Sequence, residues 1–121
     1  IGDQAELIQH LRDSDVFVLA SHGFDNQPIS IIESLAAGVP VLYCDERLDV
    51  GLHPTNSLLV GPSRTALADG MVALADSGRR RALAAGTSSV FAELSPEATA
   101  RAYIQLYETA IADRSRAKAR A

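Results

Sequence analysis

DVFVLASHGFDNQPISIIESLAAGVPVLYC, residues 15–44, decides the fold. Val16 to Ala20 is a continuous apolar run rich in β-branched residues, the pattern of a strand covered on both faces in a parallel sheet. Ser21 to Gln27 is a polar loop containing Gly23. Pro28 suits the first position of a helix, where its missing N–H costs nothing. The helix is expected to run to about Ala37, with Gly38 supplying a left-handed stop. Val39 to Cys44 is a second apolar strand, and Pro40 stands near its start, where a lost donor is tolerated. Strand, helix, strand in this order is a parallel crossover unit.

Working outward, Ala5, Leu7, Ile8 and Leu11 recur at helical spacing, with Asp3 as the cap and Asp13-Ser14-Asp15 as the end. On the other side, residues 45–56 form an irregular loop, Leu58 to Val60 a third short strand, and Gly61-Pro62 a turn. The rest reads as helical. Ser63 precedes a helix carrying Leu67, Met71, Val72 and Leu74. Ser77-Gly78 is expected to break it, and a further helix should span Arg79 to about Phe91. Ser95-Pro96-Glu97 is a helix start with cap, first-turn proline and first-turn acid. The last helix carries Tyr103, Ile104, Leu106, Tyr107, Ala110 and Ile111 as an apolar stripe. The expected class is α/β: a three-stranded parallel sheet with flanking helices and a helical C-terminal half. A complete doubly wound domain has five or six strands, so the chain is expected to be the C-terminal part of a larger fold. Residues 1–113 form the expected folded part and 114–121 a frayed, disordered basic tail.

Composition narrows function. Among 121 residues, 47% are hydrophobic and 5% aromatic, Trp is absent and the net charge is -4. An acidic chain without aromatic platforms fits neither duplex nor single-strand nucleic-acid binding. The charge is uneven: residues 1–60 carry nine acids against two bases, Arg12 and Arg47, while residues 61–121 carry six acids against nine bases. One cysteine, Cys44, permits neither an internal disulfide nor a multi-cysteine zinc cage, and it suits a buried strand end. His10, His22 and His53 lack metal-ligand spacing. Surface exposure is the reading for His22. A solvated helix start is the reading for the basic run Arg79-Arg80-Arg81, although such a run can also meet an anionic lipid or acceptor. The apolar runs are too short to span a membrane, and no signal peptide is visible. A reduced, cytoplasmic setting is expected.

The loop and helix at 21–37 carry the candidate chemistry. Ligands of open α/β sheets bind beyond the carboxyl ends of the strands. A helix N-terminus there offers N–H groups and a positive dipole end to an anion. Asp25 lies in the loop and Glu33 in the second turn of the helix. Helical side chains lean toward the N-terminus, so Glu33 can reach back to the same cleft. Ser30, Glu33, Ser34 and Ala37 form a polar or small wedge, and Ile29, Ile31, Ile32, Leu35 and Ala36 the apolar cover. Spacing alone also allows the plainer reading, in which Glu33 is a solvent-face residue and Asp25 a helix cap.

Residues 25–41, Asp25 through Glu33 to Gly38-Val39-Pro40-Val41, resemble the donor-site signature of retaining GT-B glycosyltransferases of the group 1 type. That signature is an acid, seven residues, a Glu, a small-residue helix end and Gly-x-Pro-Val. Residues 15–21 resemble the family's preceding strand, 56–60 its following strand and 95–111 its terminal helix. The resemblance implies a partial Rossmann-like GT-B C-terminal domain that binds a nucleotide-diphosphate sugar, UDP- or GDP-linked, and transfers the sugar with retention. It implies no cofactor and no metal. It makes Glu33 the ribose-binding acid and Asp25 the catalytic acid contacting the donor sugar. Asn26, Gln27 and Ile29 become donor-binding positions acting through backbone N–H groups. The implied partners are the nucleotide sugar and an N-terminal acceptor domain, with peripheral membrane contact of the whole protein and self-association of this part also expected. Asp25 stands where Glu is commoner, Asn26-Gln27 where Gly-Phe is common, and loop 45–56 lacks the usual Gly-Gly. The family's diphosphate-binding Arg and Lys have no counterpart at matching positions. The competing class is a non-catalytic α/β module that binds a small anion or a protein.

Overall fold

A computed structural model describes residues 3–24 and 26–120. The described elements are α1 (Gln4–Arg12), β1 (Phe17–Leu19), α2 (Ile29–Ala36), β2 (Val41–Tyr43), β3 (Ser57–Leu59), α3 (Arg64–Ala73), α4 (Ser77–Gly86), α5 (Ser89–Leu94) and α6 (Pro96–Arg120). The strands form one parallel sheet in the order β1-β2-β3. Phe17 is registered with Val41, and Val41 with Ser57. This is the α/β architecture that the apolar runs imply, with the first two strands shorter than their runs and the third shifted one residue earlier.

The chain divides into two units, Ile1–Val90 and Phe91–Ala121. In the first, β2 is central and every residue of it is buried. Side chains alternate along a strand, so the registered row Val18, Leu42 and Leu58 shares one face with Val16 and Val60. That face closes against Leu67 and Leu74 at α3 and Leu83 on α4. The alternation sends Val41 and Tyr43 to the face on which α2 packs. There α2 buries Ile31, Ser34 and Leu35. Full burial of a Leu such as Leu42 or Leu35 stabilises by roughly 1.5–3 kcal/mol.

The buried arc of α2 differs from the expected one. Ile29 is 71% exposed, and Ser34 is fully buried. The Ser34 hydroxyl donates to the Val39 carbonyl at 3.0 Å, which satisfies it across the turn at Gly38. Gly38 has φ +86°, the left-handed stop expected of it. Pro28 is the N-cap rather than the first helical residue: its ψ is 123°, and Ile31 N–H donates to its carbonyl. Asp3 and Ser63 cap α1 and α3 as expected, accepting from Ala5 and Ala66 N–H.

The expected break at Ser77-Gly78 is a helix start instead. The Asp76 carboxylate accepts from Arg79 N–H at 2.7 Å and opens α4 there. The helix expected to reach Phe91 is interrupted at Thr87, where the weak helix formers Gly86 and Thr87 stand and the Thr hydroxyl donates to the Ala84 carbonyl. Arg80 is not a solvated residue of a basic run. Its Nη1 donates to the Leu74 and Ala75 carbonyls at 2.7 and 2.8 Å, closing the end of α3, and its Nε is 3.4 Å from Asp15.

The second unit is dominated by α6. Its start follows the expected signature, with Ser95 Oγ accepting from Ala98 N–H. The helix runs through Arg120, beyond the residue 113 at which a frayed tail was expected to begin. Tyr103, Ile104, Leu106, Tyr107 and Ile111 are all exposed, and the two tyrosine rings lie 6.4 Å apart. The apolar stripe is therefore present on the helix and left open, where packing was the expectation for both tyrosines. No described helix is long and apolar enough to cross a membrane.

Candidate functional site

Parallel pairing carries the ends of β1, β2 and β3 to one edge of the sheet, so the loops beginning at residues 20, 44 and 60 rise side by side. A depression of about 430 Å³ lies among them, lined by His22, Cys44, Glu46, Leu59, Val60, Gly61 and Pro62. Cys44 is buried; its thiol points at the Leu19 and Ser21 carbonyls at 3.9 and 3.6 Å, the small-core role expected of it. His22 is exposed, also as expected. Among the described residues no group of three or more His, Cys, Asp or Glu stands close enough to hold a metal ion.

The sequence-derived site residues fall in the first of these loops and on α2. Asp25 lies outside the described residues. Asn26 and Gln27 are exposed and border a shallow crevice with Pro28, Ile31, Leu48 and Val50. Ile29 opens α2, and Glu33 follows four residues later, so the two share a helix face on the turn nearest the loop. Glu33 is half-buried, and its carboxylate accepts no hydrogen bond from the described residues. An acid that is neither solvated on all sides nor bonded internally is available to hydroxyl donors of a ligand.

Two functional-looking residues in the second loop carry no motif. Asp45 is 1% exposed and accepts four hydrogen bonds. They come from Gly23 N–H at 2.8 Å, Arg47 N–H at 3.1 Å, Arg47 Nε at 2.9 Å and Arg47 Nη2 at 2.6 Å. The Arg47 side chain, and then the Gly23 amide, hold its carboxyl well below the usual carboxylate range, and the same contact raises Arg47. Gly23 has φ +85°, which suits a residue without Cβ and turns its amide onto Asp45. Asp45 thus ties the loop after β1 to the loop after β2. Asn56, fully buried, ties the far end of that second loop. Its Oδ1 accepts from His53 N–H, and its Nδ2 donates to the Gly51 carbonyl and toward Ser89 Oγ. An acid beginning the loop after a buried strand is the signal that points to Asp45, and it is too common to single the residue out.

Residues 1–77 match the family model of the glycosyl transferases group 1. The chain belongs to that family. No curated protein matches it. The matched stretch takes in the whole sheet, helix α2, the loop held by Asp45 and Asn56, and α3. Membership supports glycosyl transfer as the activity class and a partial Rossmann-like domain as the fold. Asn26, Gln27, Ile29 and Glu33 all lie within the matched stretch.

Proposed function

We propose that this part of a group 1 glycosyltransferase binds the donor, a UDP- or GDP-linked sugar, for transfer to an acceptor with retention of configuration. Glu33 accepts the ribose hydroxyls, Asn26, Gln27 and Ile29 line the sugar and diphosphate, and Asp25 contacts the sugar at the reacting carbon. In the reaction the bond from that carbon to the diphosphate oxygen breaks, and a bond to the acceptor oxygen forms as the acceptor loses its proton. The main catalytic contribution is electrostatic stabilisation of the departing diphosphate. The observation that carries the reading is the Glu33 carboxylate: half-buried, unbonded within the described chain, and one turn from the start of a helix that follows a parallel strand. Hydrogen bonds to a charged acceptor contribute about 1.5–3 kcal/mol. Glu33→Ala should therefore weaken UDP or GDP binding by roughly 10- to 150-fold. Calorimetry with the free nucleotides is the test, and unchanged affinity in Glu33→Ala removes the reading. In the intact enzyme, since this part alone is expected to be inactive, Asp25→Ala should lower turnover of the sugar donor and leave free-nucleotide binding nearly intact.

A further inference from the structure

The base in the loop after β2 is built as an anion contact. Asp45 and Arg47 form a two-point fork, Nε to Oδ1 and Nη2 to Oδ2. The Asp45 side chain is 2% exposed and that of Arg47 58%. The pair is therefore oriented, with the carboxylate inward and the guanidinium outward. A guanidinium has five N–H donors, and the fork uses two of them. The other three face away from Asp45. Coulomb energy falls with distance, so an anion on the outer side meets the guanidinium at full strength and the inner carboxylate only in part. The fork also fixes the guanidinium in advance, which removes much of the ordering cost of binding.

Its place in the fold is beside the donor loop. Asp45 holds Gly23 N–H, and a Cβ on Gly23 would lie 3.5 Å from Arg47 Nη2. The residues flanking Arg47 in sequence border the first loop on either side: Glu46 lines the depression with His22, and Leu48 lines the crevice with Asn26 and Gln27. Of the other described bases before residue 91, Arg12 ends α1 ahead of β1, at the opposite end of the sheet; Arg64 opens α3 after β3, the strand farthest from β1; and Arg79, Arg80 and Arg81 lie on α4.

We propose that Arg47 binds the phosphate oxygens of the ligand held by residues 21–33, with Asp45 as the residue that positions it. This rests on the donor reading for the identity of the ligand, since a nucleoside diphosphate has such oxygens and a nucleoside has none. The test is calorimetry on the full chain with inorganic pyrophosphate, UDP, GDP and the parent nucleosides. Arg47→Gln should bind pyrophosphate and both diphosphates about 10- to 100-fold more weakly, with a flatter salt dependence and unchanged nucleoside affinity. Arg47→Lys keeps a cation over Asp45 and loses the fork, so a loss of about fivefold is expected. Thermal melts establish that each variant is folded, and the lysine variant carries the test if the glutamine variant is not. Wild-type affinity for the diphosphates in either folded variant overturns the assignment, as does a wild-type chain with no affinity for pyrophosphate or diphosphates. The two readings fail separately. If Glu33→Ala weakens nucleoside binding and Arg47→Gln leaves the diphosphates unchanged, only the Arg47 assignment falls. If Arg47→Gln loses pyrophosphate while Glu33→Ala leaves nucleosides unchanged, the anion site stands and the donor reading falls.

Discussion

The loops that follow β1 and β2 lie side by side at the same edge of the sheet and are built in opposite ways. The first, with the turn of α2 it leads into, presents Asn26, Gln27, Ile29 and Glu33, three of them exposed and the fourth bonded to no described residue. The second turns Asp45 and Asn56 inward, where they are buried and bonded, and leaves Glu46, Arg47 and Asp49 exposed. The first leaves its hydrogen-bonding capacity open, and Asp45 and Asn56 use theirs to hold the loops in place. The buried residues Asp45 and Asn56 of the second loop should therefore govern stability, and Glu33, on the helix that follows the first, should govern binding.

The largest expected effect tests the anchoring of the second loop from outside. A Cβ on Gly86 of α4 would stand 2.0 Å from the Thr55 carbonyl oxygen, backbone against backbone. Gly86→Ala must push α4 and the loop apart and should cost about 3 kcal/mol. For a domain of this size that is a fall in melting temperature of roughly 12–24 °C. A calorimetric scan within a few degrees of wild type would mean that the loop is not pinned there. Next comes Asn56→Ala, which leaves the buried Gly51 carbonyl and the His53 amide without their partner. It should cost about 2 kcal/mol, read by urea denaturation.

A smaller effect appears in acid. Asp45 is held below its unfolded value, so its bonds to Arg47 and Gly23 contribute in full above the unfolded pKa of about 3.9. That contribution is lost as pH falls from there toward the lower folded value. Asp45→Asn should be less stable than wild type at pH 7, and the gap should narrow below about pH 4. Urea midpoints at pH 7, 4 and 3 provide the check; a constant gap would show that the carboxylate charge is not what binds the two loops.

The same contrast explains what the sequence could show. Apolar runs and turn residues mark the sheet, since Val18, Leu42 and Leu58 need only be apolar and alternate to find one face. The family was legible because the stretch from Asp25 through Glu33 to Val41 follows a recognisable pattern. Asp45 and Asn56 were not, because a buried polar residue looks like any loop Asp or Asn until its partners, up to 33 positions away, are known. Ser34 and Ile29 exchange their expected places for a related reason. A serine whose hydroxyl reaches the Val39 carbonyl is small enough to bury, and an isoleucine at the first turn of α2 has no element over it to pack against. The apolar stripe of α6 was legible as a pattern, but amphipathicity alone does not say what covers it.

The smallest expected effect on stability belongs to Glu33, and it is the sharpest test of the contrast. Glu33 sits in the second turn of an eight-residue helix, on the side away from the buried Ile31, Ser34 and Leu35. Its carboxylate makes no bond within the described chain, so replacing it removes no partner and opens no cavity. Its charge lies in the N-terminal half of α2, where the helix dipole favours an acid by a few tenths of a kcal/mol. Glu33→Gln keeps the shape and removes that charge, so melting should stay within about 0.5 kcal/mol of wild type. The same variant retains an amide oxygen that accepts hydrogen bonds but without charge assistance, so nucleotide affinity should fall, by less than in Glu33→Ala. Unchanged stability with weakened binding is the behaviour of a residue kept for a ligand. A stability loss above 1 kcal/mol with unchanged binding would put Glu33 with Asp45 and Asn56, and the division of labour between the two loops would be wrong at its central residue.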